Sequence, residues 1–437
     1  MTISSEFKQR RKHLMRRMKK RSLALIAAAP AARRNRDAEY PYRQNSDFYY
    51  LTGFNEPDAV AVFIPGREQG EFILFCREYD ETMAIWTGRH AGLDGAREQF
   101  GADEAHPIGK LDEVLPSLMD GRERLYYPLG DEGLRSRIST ILAALRERAR
   151  AGVRPPSALI DLDGLVHEMR LFKSPAELAS MRRAMEVSAA AHRRAMRICR
   201  PGLREYEIEA ELLHEFTRQG LRSPAYSSIV AGGNNACVLH YIHNEDVLQD
   251  GDLLLIDAGA ECDNYAADIT RTFPVNGRFT APQRQLYELV LDAQAAAIAS
   301  IRPGRRWNEP HEAAVQVLTK GLVKLGLLRG RVAKLIHDEA YKKFYMHRTG
   351  HWLGMDVHDV GDYKAGDDWR VLEPGMVLTV EPGLYVSESC ADVEEHWRGI
   401  GIRIEDDVLV TEKGCEVLTA AVPKSVADIE ALMRAEM

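Results

Sequence analysis

LLLIDAGAECDNYAADITRTF, residues 253–273, is the stretch on which the fold turns. Residues 253–258 form a continuous apolar run interrupted by one acid, Asp257. A polar stretch over residues 261–264 follows, and then a second strand over residues 266–273 that carries Asp268. Asp263-Asn264 is turn chemistry, so the stretch predicts a β-hairpin. The two aspartates stand eleven positions apart. With an even number of residues in the loop, both project from one face of the ribbon, because side chains alternate along a strand. Alone, the pair reads equally well as two unrelated aspartates beside a turn.

The same pattern recurs downstream. Residues 377–380 (VLTV) form an apolar strand ending in Glu381, and residues 400–404 (IGIRI) form another ending in Glu405. Burying four unpaired carboxylates is costly, and a cation shared among them is the simplest solution. Between these segments lies HRTGHWLGMDVHD, residues 347–359, with His347, His351 and His358. Its glycines, Gly350 and Gly354, mark a loop, and it holds no H-E-x-x-H zinc motif. A lone histidine is more often structural than a ligand; three so close together, beside four strand acids, reverse that reading. Four carboxylates and a neutral imidazole carry a charge of about −4, which two divalent ions neutralise, and hard oxygen donors favour Mn, Fe, Co, Mg or Zn over copper. Two ions roughly 3.5–4 Å apart share a hydroxide and polarise a carbonyl. The residues predict a two-metal hydrolase.

Outward from this core, long helices alternate with hairpins. Ser174-Pro175-Ala176-Glu177 spells a capping box with proline in the first turn, opening a helix over residues 174–198. Further helices are expected over 205–219, 282–301 and 310–327. This is an α+β pattern with a largely antiparallel sheet. We place the boundary between residues 171 and 172, giving domains 1–171 and 172–437. In the first, strands are expected over 23–29, 59–64 and 72–76, with helices over 5–20 and 137–150; AGVRPPS (151–157) reads as a linker or a loop near a boundary. Nine Lys/Arg lie between Lys8 and Arg21, ahead of a short apolar run that Pro30 ends, which fits an amphipathic helix and a strand better than a cleaved signal.

The 437 residues suggest two or three domains. Hydrophobic residues at 45% and charged residues at 28% are those of a globular protein. A net charge of −7 gives no reason to expect nucleic acid or an anionic membrane as partner, and no stretch approaches the ~18 apolar residues of a membrane span. Six cysteines without a C-x-x-C pair fit reduced thiols in the cytoplasm.

At these residues the chain resembles the proline-specific aminopeptidases (aminopeptidase P) of the creatinase/prolidase/methionine aminopeptidase superfamily. The resemblance rests on YPYRQNSDFYYLTGFNEP (40–57), HEMRLFKSP (167–175), IDAGAECDNYAADITRTFPVNG (256–277), GHWLGMDVHDVG (350–361), LEPGMVLTVEPGLY (372–385) and GIGIRIEDD (399–407). It implies a small creatinase-like N-terminal domain and a pita-bread metallopeptidase domain. It implies metal ligands Asp257, Asp268, His351, Glu381 and Glu405, with Asp268 and Glu405 bridging two ions, manganese first among them. Glu381 handles the proton, His358 and His240 hold the substrate and stabilise the oxyanion, and Arg403 offsets charge near the metals. From the same comparison come Tyr226, His347 and Tyr385, and, in the first domain, Trp86 to cover the peptide and Asp37 to meet its amino terminus. Trp86 reads equally well as a core or interface aromatic. A homo-oligomer, tetramer or dimer, is implied.

The expected reaction is release of the N-terminal residue from peptides whose second residue is proline. A prolidase restricted to Xaa-Pro dipeptides is the near alternative. A metal-free binding protein on the same fold, or a hydrolase of another ester or amide, is more remote.

Overall fold

The computed structural model describes residues 3–434. They form two compact units, one ending at Arg170 and one beginning at Leu171.

The first unit is built on a six-stranded mixed sheet. Its spatial order is Glu104–Pro107, Phe72–Cys76, Val60–Phe63, Ser22–Ala27, Arg124–Tyr127, Ala158–Asp161. The three strands Ser22–Ala27, Val60–Phe63 and Phe72–Cys76 pair antiparallel, and the outer pairings are parallel. The apolar run behind the basic segment is a central strand, with Leu23, Ala24, Leu25 and Ile26 buried. Cover on both faces is why it reads as unbroken hydrophobicity rather than alternation. The basic segment is the helix Ile3–Arg17, in which Arg10 and Arg11 are buried and donate to the carbonyls of Tyr50 and Leu51. The helix expected over 137–150 begins earlier, at Glu132, because Asp131 caps it by accepting from the Leu134 amide at 2.9 Å. AGVRPPS leads into Ala158–Asp161 of the same sheet, so it is a connection inside this unit.

In the second unit every named strand pair is antiparallel. The four expected helices are Pro175–Ile198, Glu205–Arg218, Ala281–Ser300 and Glu309–Lys324. Ser174 and Glu177 form the capping box, and Thr280 and Gln283 form a second one. Helices and strands close on a core that includes Phe273, Tyr287, Leu318, Trp352 and Leu384.

The decisive hairpin differs from its expected form. Leu253–Asp257 pairs with Thr270–Pro274, Asp257 opposite Thr270. A short ladder, Glu261–Cys262 with Tyr265–Ala266, closes the tip around Asp263 and Asn264, which take φ of 51° and 66°. Between the ladders the pairing thins to two bonds, Ala258 N to Ile269 O at 3.0 Å and Ala267 N to Ala260 O at 3.1 Å, and Asp268 sits in this stretch outside the regular strand. The return bonds are diverted to a helix: the Ala258 carbonyl accepts from His192 Nε2 at 2.9 Å, and the Ala260 amide donates to Ser188 Oγ at 2.9 Å. The Asp268 amide turns out of the ladder and donates to Asp407 Oδ2 at 3.1 Å. Among the described residues no helix is long and apolar enough to cross a membrane.

Candidate metal centre and active site

Four strand-end acids meet in the second unit. The Tyr226 hydroxyl lies 2.6 Å from both Asp257 Oδ1 and Asp268 Oδ1. Arg403 donates to Asp257 Oδ2 at 2.7 Å, and Thr270 donates to Glu405 Oε2 at 2.6 Å. His351 Nε2 stands 3.4 Å from Asp268 Oδ2 and 3.6 Å from Glu381 Oε1. One ligand atom each from Asp268, His351 and Glu405 lies within 4.8 Å of the others, a spacing one cation spans.

The electrostatics are those of crowded like charges. Burial, and then the neighbouring carboxylates, push Asp257 up, push Glu405 well above the usual carboxylate range, and raise Glu381 to about 7. His351 moves the other way: burial opposes its charge, yet Asp268 and Glu381 raise it to about 9. Divalent cations fit these residues, because they relieve the repulsion and the donors are hard oxygens with one imidazole. Imidazole orientation fits as well. His351 Nδ1 donates to the Trp352 carbonyl at 3.0 Å, which leaves Nε2 facing the acids.

Around the acids the structure gathers most of the other expected residues. Burial, then Arg403, lowers His347 to about 3, so it is neutral. Its Nδ1 donates to the Arg348 carbonyl at 2.7 Å, and Nε2 accepts from the Tyr385 hydroxyl at 2.8 Å. Tyr385 in turn accepts from Arg403 at 3.1 Å. His358 stands edge-on to His351, ring centroids 4.3 Å apart. His240 is exposed and stands within electrostatic reach of both His347 and His358. Trp86 and Asp37 belong to the first unit. Trp86 is 80% exposed on the helix Glu81–Thr87, none of whose residues is buried. Asp37 is exposed, its amide donating to Asn35.

Sequence reading passed over several partners. Thr270 links Arg403 to Glu405, and the only signal for it is its place two residues beyond Asp268. Thr379 accepts from the His351 amide at 3.1 Å and donates to Glu381 at 3.4 Å. Asp407 is buried beside Asp268, with a pKa well above the usual range through burial and the Asp268 charge. In the first unit, Asp47, Asp163 and His167 also cluster closely enough for a metal, but Arg170 already holds Asp47 at 2.7 Å.

The sequence profile of metallopeptidase family M24 matches residues 179–412. The chain belongs to metallopeptidase family M24. Divalent metal is therefore its cofactor, and the second unit is the pita-bread domain of that family. The aminopeptidase P N-terminal domain matches residues 7–126, so the small creatinase-like domain expected ahead of the M24 domain is present. The chain is 50% identical over 430 residues to the Xaa-Pro aminopeptidase of Escherichia coli strain K12, covering 98% of this chain and 97% of that one. Among solved structures it is similar to an aminopeptidase of Pseudomonas aeruginosa, with 58% identity and TM-score 0.98 over 99% of this chain and 98% of that one. It is also similar to zinc-substituted E. coli aminopeptidase P in complex with product, with 50% identity and TM-score 0.96 over 99% of both chains.

Proposed function

We propose that this M24 chain is a dinuclear-metal aminopeptidase that releases the N-terminal residue of peptides with proline in second position. One observation carries the reading: Asp268, His351 and Glu405 cluster at metal-binding distance, with half-buried Asp257 and Glu381 beside them, in a chain half identical, nearly end to end, to a Xaa-Pro aminopeptidase. That whole-length likeness favours the aminopeptidase over a prolidase.

These five residues would hold the ions, and Asp268 and Glu405 are the ones proposed to serve both. When bound, divalent ions supply Lewis acidity and a nucleophile usable at neutral pH. The chain's own groups do the rest. Tyr226 fixes the facing oxygens of Asp257 and Asp268, and Thr270 fixes Glu405. Glu381, a carboxylate beside the proposed nucleophile, is the group proposed to take a proton on Oε and return it to the departing proline nitrogen. His240 and His358 are the proposed donors to the scissile carbonyl oxygen as its charge grows. Arg403, with Tyr385 and His347 behind it, balances the negative charge.

Manganese is the proposed metal, supported by the oxygen-rich donor set. A cytoplasmic site of action is supported by six cysteines that are all free. A homo-oligomer is proposed as well; exposed Ile85 and Trp86 offer apolar surface to a partner copy or a peptide, and Asp37 offers an exposed carboxylate to an amino terminus.

The test is turnover of an Xaa-Pro-Yaa tripeptide and its Xaa-Ala-Yaa counterpart by metal-stripped protein, with and without manganese. Manganese-dependent release of Xaa from the proline peptide alone is the expected outcome. No cleavage of either peptide under any divalent metal sinks the proposal, and cleavage of an Xaa-Pro dipeptide but not the tripeptide replaces it with the prolidase.

A further inference from the structure

Glu205 is a fully buried carboxylate without a role so far. It opens the helix Glu205–Arg218, where the helix dipole favours an acid. No cation pairs with it among the described residues. It accepts four hydrogen bonds instead, all from one loop: Gly232 N at 2.7 Å and Asn235 Nδ2 at 3.1 Å on Oε1, Tyr241 Oη at 2.8 Å and Asp246 N at 2.9 Å on Oε2. The donors bracket His240, two before it in sequence and two after. An acceptor-only carboxylate satisfies all four.

The clamped loop presses on the active-site strand. Residues Gly233–Cys237 form a short 3-10 turn, and a Cβ on Gly401 would lie 2.4 Å from the Ala236 carbonyl group. Gly401 pairs with Tyr385 and stands two residues before Arg403. The far end of the loop is tied to its own strand by Asn244, which donates to Ser228 O at 2.9 Å and accepts from Val230 N at 3.0 Å. The loop is thus held at both ends and against Gly401, with exposed His240 at its free crest.

We propose that Glu205 is a positioning residue for the peptidase reaction: by gathering Gly232, Asn235, Tyr241 and Asp246 onto one carboxylate, it fixes the loop that presents His240 to the substrate. This rests on the proposed function for the role of His240. A single loosened loop matters because displacing a substrate-contacting group by about 1 Å costs on the order of 100-fold in rate.

The test is a double-mutant cycle on the full-length, metal-loaded protein. Glu205→Gln keeps the volume but turns one acceptor into a donor facing donors. It is expected to lower kcat/KM for an Xaa-Pro-Yaa tripeptide about 10- to 100-fold, with metal content unchanged. In a His240→Ala background the same substitution is expected to change kcat/KM less than about threefold, because the residue it positions is gone. An equal loss in both backgrounds, or no loss in folded Glu205→Gln, overturns the proposal. Should Glu205→Gln not fold, Tyr241→Phe removes one of the four bonds and enters the same cycle; parental kinetics there overturn it too. Amide hydrogen exchange reads the clamp without turnover. Protection lost at residues 232–246 and nowhere else supports it, and unchanged or global loss refutes it. Failure of the activity itself shows separately, as absence of cleavage by the parent chain.

Discussion

At Asp268 three contacts meet: Oδ1 beside the Tyr226 hydroxyl, Oδ2 facing His351, and the amide held by Asp407. Asp268→Asn keeps the size and the amide contact while removing the charge that the proposed bridging role needs. It is expected to bind less than a full complement of metal and to lose more than the ~10- to 100-fold seen on losing an outer partner of a metal ligand, with an unchanged far-ultraviolet spectrum. Metal analysis and turnover check this; full activity at normal metal content refutes the bridging assignment. Glu381 makes a prediction about pH. Its pKa is raised to about 7 in the metal-free fold, against 4.5 ordinarily. Between those values the folded chain holds a proton that the unfolded chain has released, so stability falls as pH rises through that window. Burial lowers His192, His311 and His347, which pushes stability the other way below pH 6.5. The decline is therefore read as the difference in melting between metal-free parent and Glu381→Gln from pH 5 to 8, and saturating divalent metal should flatten it.

Among the elements, glycines set how closely the site segments run together. Residues 349–351 lie along 379–381: the Thr379 amide donates to the His351 carbonyl at 3.0 Å, and the Glu381 amide to Thr349 O at 2.8 Å. A Cβ on Gly350 would lie 2.1 Å from the Thr379 backbone oxygen. Gly350→Ala must therefore part the two segments that carry His351 and Glu381. A loss of about 1–3 kcal/mol in stability, as for overpacking, with weaker metal retention is the expected outcome, read by denaturant melts and metal analysis. The helices were legible because capping is local: Ser174 and Glu177 mark the start of Pro175–Ile198 within four residues of sequence. The thinned pairing in the hairpin was not, because it depends on His192 and Ser188 of a distant helix taking the bonds of Ala258 and Ala260.

Across the whole molecule, buried ion pairs join distant stretches of chain. Lys173 donates to Asp359 Oδ2 at 3.0 Å, both side chains about 1% exposed and 186 positions apart. The pair holds the loop beside His358, with Gly354 packed so tightly that a Cβ would lie 2.1 Å from Asp359 Oδ2. Lys173→Met removes the cation beside a buried carboxylate and is expected to cost about 3–5 kcal/mol, whereas Lys173→Met with Asp359→Leu removes both charges and should recover most of it. Equal destabilisation of the single and double variants in chemical denaturation would falsify the pairing argument. The whole-length likeness to aminopeptidase P proteins places these features in a fold whose two parts were readable from six separate motifs.

The sequence by itself determined the α+β class, the long helices, the apolar strands and the acids and histidines that mark a metal centre. Each of these is written in short-range pattern: strand period, capping boxes, and charge where an apolar run should continue. It took the folded chain to show that the Asp268 amide donates to Asp407, that Thr270 and Thr379 orient Glu405 and Glu381, and that Glu205 gathers the His240 loop. Those contacts join residues far apart in the chain, and they exist only once the backbone has brought them within hydrogen-bonding distance.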